Sequence, residues 1–282
     1  MRLYHSLASN DAVRGVACLP PDRVSYLISA YYLVRYPGMQ VACRELIKGA
    51  RGVMLDSGMV SAMRAGELSW MERTEQLVRL ARALPFEVVV AMDIPTNPHL
   101  LSTSELSVEE ACEITARNAG DFLSRWTPQK KLFVLQGRNP ADYERMARGY
   151  ESMGLFTHHE AKVGFAVGSL RGRRREDVLG IARICREVVP RRFSLHAFGI
   201  GAEELLVELS SLGYDSADCA SASLAAACGR AISLRGRRRI RLSPANAGGR
   251  SALVAWNIAA ISAGRSLACD DDPQKRAEVN YL

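Results

Sequence analysis

Asp56 and Asp218 each stand at the end of a strand-like apolar run, with short glycine-rich strings between and around them. In chain order these are LDSG (55–58), AMDIP (91–95), VLQG (134–137), AVGSL (166–170), HAFGIG (196–201) and SADC (216–219). Runs that stop repeatedly on Asp, Gln or Gly build one pocket from several strand ends. That is the layout of a barrel enzyme rather than a binding module. Two carboxylates on such a pocket are the groups that nucleophilic and acid–base chemistry require. Singly, each residue also has a structural use. Asp56 can cap the helix after it, Asp218 can close a turn, and Gln136 can be a satisfied polar group at a strand end. Their order and company make the set specific.

The chain of 282 residues carries a formal charge of +7, and its basic residues are clustered. RGRRR occurs at 171–175 and again at 235–239, the second run extended by Arg241. A single arginine run is as readily a solvated turn. Two identical runs, one directly after a strand of the pocket, point to nucleic acid, because guanidinium forks match phosphate oxygens and release counterions. Arg171, Arg173, Arg174 and Arg175 are therefore candidate phosphate contacts. Arg235, Arg237, Arg238 and Arg239 either extend that track or form a solvated turn. Neither run lies on an amphipathic helix, which disfavours a membrane surface.

Strands that all run one way must position this set. Strand-like runs occur at 2–6, 24–29, 52–57, 87–93, 131–137, 162–168, 192–201 and 216–221. Between most of them lie helical patterns. Residues 71–84 place Leu77, Leu80, Ala81 and Leu84 on one face, and 107–126 opens on SVEE, a capping box. Asn139-Pro140 starts a helix over 140–153. Helices over 176–189 and 202–212 complete the series, the last ended by Gly213. This alternation predicts parallel βαβ units closed into an α/β (β/α)8 TIM barrel. The competitor is a doubly wound open sheet, disfavoured because no GxGxxG follows an early strand. Residues 1–233 are expected to form the barrel domain, and 234–282 a basic segment, a closing helix and a polar tail.

No apolar run reaches the roughly 18 residues that span a bilayer, and the N-terminus lacks a signal peptide's apolar core. A soluble, cytoplasmic protein is expected. Seven scattered cysteines (18, 43, 112, 185, 219, 228, 269) form no CxxC pair. They suit buried, reduced thiols better than disulfides or a zinc site, so no metal or cofactor is expected. His158 and His159 have no metal spacing, and His196 reads as a core histidine. Tyr31 and Tyr32 either shape a groove or pack the core.

From about 52 to 224 the motifs resemble the tRNA-guanine transglycosylases, and within that superfamily the paralogues that insert 7-deazaguanine bases into DNA. DSG at 56–58 is similar to the family's DSGG element, and VLQG, AVGSL, HAFGIG and SADC to its QG, GGL, GVG and DC elements. The resemblance implies a barrel that exchanges guanine in a nucleic acid for a 7-deazaguanine base. It makes Asp218 the nucleophile at C1′ and Asp56 the general acid/base. Ser57, Asp93, Gln136, Gly137, Gly168, Ser169, Leu170, Phe198 and Gly199 would bind the purine. A homodimer is a further implication of the resemblance.

The chemistry is consistent with those roles. Cleaving an N-glycosidic bond passes through an oxocarbenium-like state, which a carboxylate beneath C1′ stabilises and traps. Base exchange requires such an intermediate to survive while one purine leaves and another enters. Asp93 can accept from an amide N–H and an exocyclic amine, which selects guanine-type edges. A target inside a nucleic acid must be flipped into the pocket or taken from a loop.

Several positions depart from the family pattern. Met59 and Val60 stand where an aromatic is usual, Phe198 where Met is frequent, and Ser169 in place of the second glycine of GGL. The zinc-site cysteines and histidine are missing, which predicts a chain without that subdomain. The short inter-element loops and the SADC ending resemble the DNA-modifying branch more closely, and that resemblance, with the compact chain, favours DNA slightly over tRNA. Two other readings stay open: a non-catalytic nucleic-acid-binding paralogue that works with a catalytic partner, and an N-glycosidase with water as acceptor.

Overall fold

Parallel neighbours cannot be joined by tight turns, so each strand must be followed by a crossover long enough to return to the sheet's starting edge. The chain supplies these crossovers in alternation. The computed structural model describes residues 1–7, 12, 13, 16, 19, 24–67, 69, 73–232, 239–241 and 247–269. Its strands β1 (Arg2–Leu7), β2 (Ser25–Ser29), β3 (Gly52–Asp56), β4 (Val88–Val90), β5 (Lys130–Leu135), β6 (Val163–Val167), β7 (Leu195–Ala197) and β8 (Ser216–Cys219) form a closed barrel in sequence order. All pairings are parallel. The seam joins β1 to β8 with Tyr4 opposite Asp218. The predicted (β/α)8 TIM barrel is the observed fold, and the open sheet is excluded by that seam.

Period-two alternation decides what lines the interior. Tyr4, Leu27, Met54, Val90, Val134 and Ala166 belong to one inner cluster, separate from the large core between sheet and helices. Two residues further along β3 is Asp56, beyond β5 is Gln136, beyond β6 is Gly168, and β7 continues to Phe198. The alternation that buries the floor therefore turns the chemistry-bearing residues into the mouth. At the opposite end Arg2 and Glu87 pair at 2.7 Å across the barrel.

The helices are α1 (Ala30–Arg35), α2 (Pro37–Gly49), α3 (Met59–Arg64), α4 (Thr74–Ala83), α5 (Pro98–Leu101), α6 (Val108–Ser124), α7 (Pro140–Ser152), α8 (Arg175–Val188), α9 (Glu203–Ser211), α10 (Ser221–Ala227) and α11 (Ala247–Cys269). The two cap signals hold. Ser107 with Glu110, and Asn139 with Asp142, each close a reciprocal capping box. Helices α1, α2, α5 and α10 are additions to the sequence reading, and α3 is the helix that Asp56 could cap. Met39 and Cys43 of α2 are buried, and Ala42, Leu46 and Ile47 pack against the core beside them, a helical stripe that the sequence reading passed over.

After β8 and α10 comes a hairpin, β9 (Arg230–Ile232) with β10 (Arg239–Arg241), which the sequence reading also lacked. Helix α11 lies against α10 and β9. Asn257, with no exposed surface, staples it there. Its Oδ1 accepts the Ile232 N–H at 2.6 Å, and its Nδ2 donates to the carbonyls of Ala222 and Arg230 at 3.1 and 3.0 Å. Among the described residues no helix is long and apolar enough to cross a membrane.

Candidate active site at the carboxyl ends of the strands

Asp218 is 6% exposed and sits on the last strand beside the seam. Ser6 donates its hydroxyl to Oδ2 at 2.7 Å, and the backbone N–H of Gly199 donates to Oδ1 at 2.7 Å. Gly199 has φ +74°, a left-handed turn that suits glycine and aims its N–H at the carboxylate. His196 Nε2 lies 3.6 Å from Oδ1 and has no hydrogen-bond partner. Ser6 escaped the sequence reading. Its only sequence signal was its place two residues beyond inward-facing Tyr4.

Asp56 ends β3 and is half-buried. One of its oxygens accepts the N–H of Gly58 at 3.0 Å, so it does serve the turn that opens α3. Burial pushes its carboxyl up to about 7, and the charges of Asp93 and Asp218 add to the rise. A carboxyl titrating there can give and take a proton near neutrality. Asp218 is thus close enough to Asp56 to be felt electrostatically, and both belong to one mouth.

The third part is a buried polar wall. Asp93 is 8% exposed, and its oxygens accept from Ser57 Oγ at 2.8 Å and Gln136 Nε2 at 2.7 Å. Burial raises its carboxyl above the usual range, while those two donors oppose the shift. Gln136 Oε1 accepts from the Ser169 hydroxyl at 2.7 Å, and Ser169 Oγ accepts the Thr96 N–H at 2.8 Å. That backbone N–H can only donate, which leaves the Ser169 proton for Gln136 and sets the amide with its nitrogen toward Asp93. Thr96 Oγ1 also donates to the Gly137 carbonyl at 2.7 Å and receives the Gly137 N–H at 3.2 Å. Sequence reading had not singled out Thr96. Gln136 is satisfied, but by groups that themselves line the mouth.

Ser169 adopts φ +54°, unusual for a residue with a side chain and a mark of local strain. A Cβ on Gly168 would lie 2.3 Å from Gln136 Nε2, so only glycine lets the amide pass. Leu170 is buried behind this turn. Phe198 is partly buried and packs on the inner cluster as well as edge-on to His196. Its ring thus sits at the mouth side of that inner cluster.

The first arginine run splits in two. Arg173 turns inward and donates to the carbonyls of Ser169, Gly137 and Arg138, bracing the wall from behind. Arg175 pairs with Glu208 on α9. Arg171 is exposed and adjoins Gly199, while Arg174 is exposed and only 4.0 Å from Glu176. Arg235, Arg237 and Arg238 lie outside the described residues, as does the side chain of Arg239 on β10.

Among the described residues the zinc that the resemblance brings to mind finds no fitting set of ligands. Cys43, Cys185 and Cys219 are buried and dispersed, and no group of three His, Cys, Asp or Glu among the described residues could hold a metal. Burial pushes the Cys43 thiol up to about 12 and Cys112 to about 11, so both stay protonated and inert. Tyr31 donates to Glu67 at 2.9 Å beside the turn at Gly58. A hollow of about 480 Å³ at the opposite end of β5 and β6, near Trp126 and His158, contains none of the set.

Residues 53–248 match the sequence model of the family described as queuine tRNA-ribosyltransferase. The chain is similar to the tRNA-guanine(15) transglycosylase of Haloferax volcanii, 24% identical over 218 residues, 77% of this chain and 41% of the relative. It is also similar to that of Methanopyrus kandleri, 23% identical over 216 residues, 77% of this chain and 46% of the relative. A putative queuine tRNA-ribosyltransferase of Archaeoglobus fulgidus is 30% identical over 135 residues, 47% of this chain and 31% of the relative. The chain therefore spans less than half the length of each of these relatives. With more than half of its own residues matched, on a closed parallel barrel, this chain belongs to the queuine tRNA-ribosyltransferase family.

Proposed function

We propose that the chain exchanges guanine in a nucleic acid for a 7-deazaguanine base by double displacement. The observation that carries this reading is the pair Asp56 and Asp218: one carboxyl raised to about 7, the other braced by two donors, both at one barrel mouth. Asp218 attacks C1′ of a flipped nucleotide. The C1′–N9 bond breaks, its electron pair passes to the purine, and Asp56 delivers a proton to the departing base. Asp56, now ionised, takes the N9 proton of the incoming base. N9 bonds to C1′ and Asp218 leaves as carboxylate.

Asp93, Ser57 and Gln136 read the purine's polar edge, with the backbone N–H groups at Ser169 and Leu170. Phe198 supplies a stacking face. An incoming 7-deazaguanine keeps guanine's polar edge, so the same wall accepts both bases. Arg171 and Arg174 hold the flanking phosphates. For the polymer, the sequence pattern supports DNA and the names of the relatives support tRNA. Incubating the protein with labelled guanine and each polymer tests the reading. Label entering DNA or tRNA supports it, and label entering neither overturns it. Abasic sites in place of a new base would instead mark water as the acceptor.

A further inference from the structure

His196 lies in the barrel interior and is 1% exposed. Its Nδ1 is 2.8 Å from the Ser216 hydroxyl, while Nε2 is sealed from solvent and lacks a hydrogen-bond partner. Buried polar atoms without partners are rare and costly, and they cluster where function needs them. The nearest carboxylate oxygen is Asp218 Oδ1 at 3.6 Å. A lone pair on Nε2 would repel that oxygen, whereas an N–H attracts it, so the ring carries its proton on Nε2 and Ser216 donates to Nδ1. Edge contacts with Tyr4 and Phe198, centroids 5.9 and 4.6 Å away, hold the ring plane.

We infer that His196, its tautomer set by Ser216, is a positioning residue that closes onto Asp218 as that carboxylate leaves C1′ in the second displacement. The inference rests on the base-exchange reading above. In this step the bond from the incoming N9 to C1′ forms and the ester bond from C1′ to Asp218 breaks. The electron pair returns to Asp218, and the N9 proton passes to Asp56. Negative charge reappears on Asp218, and Ser6, Gly199 and the Nε2–H of His196 share it. A contact of 3.6 Å in the free protein is too long to blunt the nucleophile beforehand. The Asp218 oxygen moves between C1′ and its resting place in both displacements, so an interaction that shortens only along that path acts on the rate rather than on ground-state binding.

The test uses the full chain, labelled guanine and the polymer that the unsubstituted protein exchanges. His196→Leu removes both nitrogens, and His196→Gln returns an amide N–H near the Nε2 position. The Leu variant is expected to lose about 10- to 100-fold in kcat, with KM for guanine within about threefold. The Gln variant recovers most of kcat. Ser216→Ala, which spares the core, lowers kcat about 3- to 10-fold and decides the matter if the Leu variant does not fold. Undiminished kcat in the Leu variant, equal losses in Leu and Gln, or an unchanged Ser216→Ala variant would overturn the role of His196 alone. Absence of exchange by the unsubstituted protein would overturn the base-exchange reading and this role with it.

Discussion

The hydroxyl of Ser6, on the first strand, donates to Asp218, on the last, at 2.7 Å. The contact crosses the seam at which the barrel closes. The carboxylate is therefore oriented only once the two ends of the sheet have met, and closure of the fold completes the site.

Asp218→Asn is expected to abolish base exchange by at least about 10³-fold and to form no covalent adduct. Ser6→Ala removes one hydrogen bond to a charged group and is expected to lower kcat about tenfold, with a smaller change in KM. Steady-state exchange assays and a denaturing gel for the adduct check both. An adduct formed by the Asn variant would remove Asp218 from the nucleophile's role.

Asp56 makes stability depend on pH. Its folded carboxyl titrates at about 7 against 3.8 ordinarily, through burial first and then through Asp93 and Asp218. Between about pH 4 and 7 the unfolded chain has released a proton that the native state keeps. Stability therefore falls as pH rises through that window and levels above it. Asp56→Asn is expected to match the parent near pH 4 and to exceed it near pH 8 by about 2 kcal/mol. The ceiling is roughly 4 kcal/mol, reached only if the half-buried carboxyl were fully dry. Urea unfolding at both pH values measures the difference. Exchange by the parent is expected to peak near pH 7.

The wall is tightly fitted around Gln136. Gly168→Ala places a methyl 2.3 Å from Nε2 and must push the amide off Asp93. KM for guanine is expected to rise about 10- to 100-fold, equivalent to about 1–3 kcal/mol, with a smaller change in kcat. Asp93→Asn is expected to show the same pattern. Unchanged KM in both variants would mean that the base binds elsewhere.

The arginines after β6 should separate by function. Arg171→Ala and Arg174→Ala are expected to weaken polymer binding at every sequence and to reduce the slope of log K against log salt by about 0.7–0.9 each. Arg173→Ala takes one donor from each of three backbone carbonyls and is expected to cost about 1–3 kcal/mol of stability. Salt titrations of binding and urea unfolding discriminate the two groups.

Much of the architecture was legible in the residues. Eight apolar runs, the SVEE capping box, the Asn139-Pro140 cap and Gly213 sufficed for a parallel barrel, because burial period and cap chemistry are local properties. The carboxylates, Gln136 and the glycine turns could likewise be named from their places at strand ends. Four facts were decided by tertiary structure: Ser6 reaching Asp218, Thr96 fastening Gly137, the orphaned nitrogen of His196, and the division of labour within RGRRR. Arg173 and Arg174 are adjacent and chemically identical, yet one braces carbonyls while the other faces water. Sequence spacing carries a period and a direction, but which side chain finds a partner depends on strands and loops many residues away. The closed barrel settles that by bringing distant strand ends within hydrogen-bond reach.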